Sequence, residues 1–152
     1  MKADFVNPIY QAATEVLSTM LNLDVNRKGL KTSEELISGN EANVSIGVTG
    51  DLSGTILFSF KKEMVLAMVE AMSGMEVKEL DKFVVSAIGE IANIISGNAA
   101  TLLKAKNYEC DIVPPQIIIG KNKSLSMATD KSLVIPLETD MGEFEINLAI
   151  WE

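Results

Sequence analysis

Between Ser86 and Asn98 the chain reads SAIGEIANIISGN, and two side chains in that stretch can do chemistry: the carboxylate of Glu90 and the amide of Asn93. Three residues apart on a helix, they stand side by side, about 5–6 Å apart at Cβ, and can grip one target from the same direction. At about 100° per residue, Ser86, Glu90, Asn93 and Gly97 share a sector of about 60°, with Gly89, Ser96 and Ala100 beside it. Val84, Ile88, Ile91, Ile95, Leu102 and Leu103 help make the rest of the wheel apolar. A helix so apolar is buried almost all round, so the polar stripe is where it meets water or a partner. Glycine inside a helix costs about 1 kcal/mol relative to alanine, and small residues beside Glu90 and Asn93 let another backbone or a ligand come close. The plainer alternative is a solvated stripe on a core helix, with Asn93 bonded to a neighbouring loop.

The rest of the composition narrows the chemistry. None of the 152 residues is histidine, which removes serine and cysteine triads, imidazole acid–base catalysis and nearly every familiar zinc site. Reactions must run on carboxylates, amides, hydroxyls or amines, or on groups that a partner supplies. A net charge of −8 argues against binding a phosphate backbone, which needs a basic face. The lone Cys110 forms no intramolecular disulfide and fits a reducing compartment; with no evident base partner, it reads as a small strand residue, not a nucleophile. MKADFVNPIYQAA lacks the features of a secretory signal, and no uninterrupted apolar run of bilayer length is expected. Together these predict a cytoplasmic protein with a single domain over residues 1–152.

Around the stripe, apolar periodicity predicts a helix from about Asp4 to Leu21, with Pro8 in its first turn, and then, where the pattern weakens from Asn22 to Asn43, a short strand and loops. Val44, Ile46 and Val48 alternate, as do Ile56, Phe58 and Phe60, around the turn at 50–54, which predicts a β-hairpin. A helix over Lys61–Ser73 ends at Gly74, and the long helix runs from about Leu80-Asp81 to Lys106. Short strands at 108–113 and 116–120 flank Pro114-Pro115. A second hairpin pairs Leu133, Ile135 and Leu137 with Phe144, Ile146, Leu148 and Ile150; Glu143, Glu145 and Asn147 then give the sheet one polar or wet face. Asp130-Lys131-Ser132 reads as a turn. Eight methionines, Met64, Met68 and Met72 among them, read as core filler. Glu41, Asp51 and Glu76 read as solvated turn residues. The expected class is α+β, with helices on one face of a largely antiparallel sheet. A faint repeat is visible: residues 9–14 (IYQAAT) lie over residues 88–93 (IGEIAN).

The pattern Ser86-x-x-x-Glu90-x-x-Asn93 followed by Pro114-Pro115, together with IGVTGDLSGTILFSF and AMSGMEV, resembles the CheC/CheX/FliY family of chemotaxis phosphatases. The chain looks most like the CheX members, and the resemblance runs over nearly all of it. It implies a pseudo-repeated fold and a phosphatase acting on the aspartyl phosphate of a CheY-like response regulator. Under that resemblance Glu90 pairs with the regulator's lysine and Asn93 orients the attacking water. Ser86, Gly89, Gly97, Pro114 and Pro115 would contact the partner. The chain itself would bind no cofactor or metal, with Mg²⁺ held by the regulator. Members with two sites repeat Glu-x-x-Asn in the first helix, where this chain has Gln11 and Thr14, so one working stripe per chain is expected. Similar proteins are homodimers joined edge to edge, and the apolar last strand is compatible with that. The alternatives are a non-catalytic module that binds a regulator or flagellar component through the same helix, and a dimerisation domain whose stripe is buried.

Overall fold

The computed structural model describes residues 3–29, 31–38, 41–120 and 124–152, with side chains described over 4–29, 41–120 and 132–152. Among the described residues the chain runs α1 (Ala3–Leu21), β1 (Asn26–Arg27), β2 (Lys31–Ser38), β3 (Ala42–Gly50), β4 (Ser53–Phe60), α2 (Lys62–Ser73), α3 (Lys82–Lys104), β5 (Cys110–Ile112), β6 (Gln116–Ile119), β7 (Ser124–Thr139) and β8 (Gly142–Trp151). The strands form one sheet in the order β1-β7-β8-β4-β3-β5, with β2 also on β7 and β6 also on β3. Every pairing is antiparallel.

Alternation within the central strands builds the core. Val44, Ile46, Ile56, Phe58, Phe60, Ile135, Phe144, Ile146 and Leu148 are buried in one cluster with Ile9, Ala13, Leu17, Met64, Met68, Ile88, Ile91 and Ile95 from the three helices. Phe60 and Phe144 stack with centroids 5.0 Å apart. The β3–β4 turn fits its glycines: Gly54 has φ 137°, and a Cβ there would run into the Ala149 carbonyl. Gly74 ends α2 in the left-handed conformation at φ 74°, as a C′ glycine should.

Four expectations change. Pro8 sits in the second turn of α1, because the helix begins at Ala3; having no N–H, it forfeits the ladder bond to the Asp4 carbonyl. Asp130-Lys131-Ser132 is no turn but lies within β7, where Ser132 pairs with Ser33 and Lys131 with Glu34. The sheet face away from the helices is not wet at its centre, since Asn43, Leu57, Ser59, Asn147 and Ala149 are buried there. Alternation assigns a residue to a side; it does not say whether that side is covered. By mean hydropathy, 1.3, α3 is long and apolar enough to cross a bilayer, but Glu90 and Asn93 interrupt its apolar run as expected, and nine of its residues are buried within the fold. Finally, of the methionines read as filler, Met64 and Met68 are buried, but Met72 is 38% exposed.

Candidate functional site

Asp81 starts α3 by accepting a hydrogen bond from the Val84 N–H at 3.0 Å, an N-cap that satisfies one of the helix's orphan donors. Val84, Ile88, Ile91, Ala92, Ile95, Ala99 and Leu103 then bury one face, and this fixes the rotation of the opposite face. Ser86 and Glu90 are exposed there, while Asn93 and Gly97 are half-buried. Among the described residues the Glu90 and Asn93 side chains make no hydrogen bond or ion pair. A carboxylate and an amide held side by side on a rigid helix, both with free bonding capacity, can pair with a cation and orient a water.

The two glycines differ in what their small size achieves. A Cβ at Gly89 would come 2.8 Å from Ile117 Cδ1 and 3.9 Å from Pro115 Cγ. Gly89 is buried, so its smallness lets β6 and Pro115 close against α3 and exposes no surface to a partner. At Gly97 the nearest neighbour of an added Cβ is Ile112 Cδ1 at 4.0 Å. Packing within the chain does not require glycine there, and the lowered surface beside Asn93 stays open. Pro115 is half-buried beside the stripe and Pro114 is exposed.

Thr101 and Lys104 fall on the same face of the helical wheel, although the sequence pattern did not assign them to the stripe. They line a hollow of about 470 Å³ with Asp51, Glu109, Cys110 and Asp111. Asp51 is more than a solvated turn residue. Its Oδ2 accepts the Glu109 N–H at 2.8 Å, and its own N–H donates to the Glu109 carbonyl at 2.9 Å, which pins the β3–β4 turn to the start of β5. Burial, with Asp51 and Asp111 nearby, pushes the Cys110 thiol above its usual value, against a bond from the Leu52 backbone. That disfavours a thiolate. No group of three or more potential metal ligands occurs among the described residues.

The family model described as "Chemotaxis phosphatase CheX" matches residues 42–138. The chain is 29% identical to the CheY-P phosphatase CheX of Thermotoga maritima over 154 residues, covering 99% of this chain and 97% of that protein. Its fold is similar to a CheC-like superfamily protein from Shewanella sp. PV-4, at TM-score 0.90 and 26% identity with all of both chains covered. It is also similar to a chain of the CheX–CheY–BeF3–Mg²⁺ complex from Borrelia burgdorferi, at TM-score 0.79 and 29% identity, covering 99% of this chain and 100% of that one.

Proposed function

The chain belongs to the CheX family of chemotaxis phosphatases, and from that premise we propose that Glu90 and Asn93 are the working pair of its phosphatase site. The protein hydrolyses the aspartyl phosphate of a CheY-like response regulator. Glu90 pairs with a lysine of the regulator and sets the register of docking. Asn93 enters the regulator's site and orients a water in line with the phosphorus. Mg²⁺ is held by the regulator's own carboxylates, so this chain needs no metal ligands.

The physical chemistry suits such a division of labour. Phosphoryl transfer depends on positioning and charge stabilisation, with little covalent work for the protein. An amide that holds water in line removes part of the entropic barrier to attack. A chain without histidine can therefore catalyse the reaction. The observation that carries this reading is the free pair itself: Glu90 exposed and Asn93 half-buried on one face of α3, neither side chain with a partner among the described residues. The open surface at Gly97 supports it, because Asn93 must reach a recessed phosphate past the helix.

The test is phosphate release from a phosphorylated CheY-like regulator with Mg²⁺, at substoichiometric amounts of this protein. Wild type is expected to accelerate release with turnover, and Asn93→Ala to lose acceleration while still binding the regulator. Full activity in Asn93→Ala overturns the assignment. We further propose a cytoplasmic homodimer as the acting form, the lone thiol supporting the compartment; the apolar last strand does not offer it a free sheet edge, because β8 lies between β7 and β4. Light scattering on the purified protein checks the dimer.

A further inference from the structure

Resting on the Glu90/Asn93 reading, we propose that Phe83 is the apolar anchor by which α3 holds the response regulator. Phe83 is the second residue of α3 and is 46% exposed. It stands outside the core cluster and outside the half-buried side chains packed against that cluster, so the fold makes little use of its ring. Seven residues before Glu90, it lies within about 20° of Glu90 around the helix and about 10 Å from it along the axis. The positions that follow on that face are Ser86, Glu90, Asn93, Gly97, Thr101 and Lys104, which leaves Phe83 as the large apolar side chain of the stripe.

Two magnitudes favour the anchor. Glu90 is exposed, and a solvent-screened ion pair there contributes at most about a fivefold factor in affinity. The stripe's small and polar residues add little apolar area, so a polar stripe alone binds weakly. A protein–protein contact of ordinary size covers about 800 Å² on each partner, a patch of about 16 Å radius. A regulator placed over Glu90 with its phosphate at Asn93 therefore covers Phe83 as well. Aromatic side chains on such patches carry a disproportionate share of binding energy. The occupant is the regulator and not a second copy of this chain, because Phe83 is continuous with the stripe that the substrate must cover.

The experiment compares Phe83→Ala, Phe83→Leu and Asn93→Ala in the full chain, with a phosphorylated CheY-like regulator and Mg²⁺ as substrate. Phe83→Ala is expected to raise KM about tenfold, with kcat within about twofold and an unchanged melting temperature. Phe83→Leu should recover most of the loss, since it restores apolar area without the ring. An unchanged KM in Phe83→Ala, beside an inactive Asn93→Ala, overturns the anchor and leaves the Glu90/Asn93 pair standing. Full turnover in Asn93→Ala removes that pair itself. A shift from dimer to monomer in Phe83→Ala with KM unchanged shows that a second copy covers the ring, and the anchor falls.

Discussion

Residues 9–14 of α1 and 88–93 of α3 are alike in burial at five of six positions. Ile9 and Ile88 are buried, as are Ala12 and Ile91, and Ala13 and Ala92; Gln11 and Glu90 are exposed; Thr14 and Asn93 are half-buried. The exception is the second position, where Tyr10 is half-buried and Gly89 buried. The two stretches part in what their polar side chains do. Gln11 Nε2 donates to Glu15 Oε1 at 3.0 Å, and the Thr14 hydroxyl donates to the Tyr10 carbonyl at 2.9 Å, the back-bond that threonine favours within a helix. The Glu90 and Asn93 side chains have no such outlet among the described residues. The same frame thus carries one stripe whose bonds close within its own helix and one whose bonding capacity is left for another molecule. A pair that is already satisfied must break its bonds to reach a substrate; a free pair need only exchange water.

Mutating both stretches in parallel is the direct way to break this comparison. Asn93→Ala is expected to lower turnover by at least about 100-fold, the scale of losing one well-placed positioning group, while Thr14→Ala leaves turnover unchanged. Steady-state phosphate release separates the two, and equal losses would mean that both stripes work. Glu90→Ala is expected to raise KM about fivefold, the most that an exposed ion pair contributes. That deficit should shrink as salt screens the wild-type pair, whereas Gln11→Ala should leave KM as it is at every ionic strength.

Smaller effects sharpen the contrast between the two glycines. Gly97→Ala should stabilise the protein by up to about 1 kcal/mol through helix propensity, a rise of about 3 °C in melting temperature. It should also slow turnover, because a methyl there raises the surface beside Asn93. Gly89→Ala should gain less stability, since the Ile117 methyl at 2.8 Å must turn away. Paired thermal melts and activity assays test both. Cys110→Ser should have no effect on turnover. Because the folded thiol is held above its usual value, the thiolate fraction near pH 7 is smaller than that of a free cysteine. Alkylation by iodoacetamide should therefore be slower than in the unfolded chain and speed up as pH rises.

Much of the architecture was legible because period and punctuation agree. The alternation of Val44, Ile46 and Val48 with Ile56, Phe58 and Phe60 marks β3 and β4, and Gly74 marks the end of α2. Asp130-Lys131-Ser132 misled because its composition is that of a turn. In the sheet it is carried by pairing to β2, a partner nearly a hundred residues away in sequence that no local pattern reveals. Asn147 misled in another way: its side of the strand was right, but its burial depends on what lies over that face. Thr101, Lys104 and Phe83 also fall on the stripe's side of the wheel, but a threonine, a lysine near the helix end and a lone phenylalanine carry no motif of their own, and only their exposure in the fold sets them apart.

The sequence alone determined that Glu90 and Asn93 share one face of an otherwise apolar helix, because helical geometry follows from spacing. It also determined that chemistry here proceeds without imidazole, because no histidine is present. The tertiary structure decided which small residue serves which purpose. The wheel sets Gly97 within the stripe and Gly89 at its flank, but it does not say what lies over either; Ile117 and Pro115 fill the space over Gly89 and leave Gly97 open. It also decided that one polar stripe is free and its counterpart self-satisfied, for spacing places a side chain on a face, and only the assembled neighbours determine what remains for it to bind.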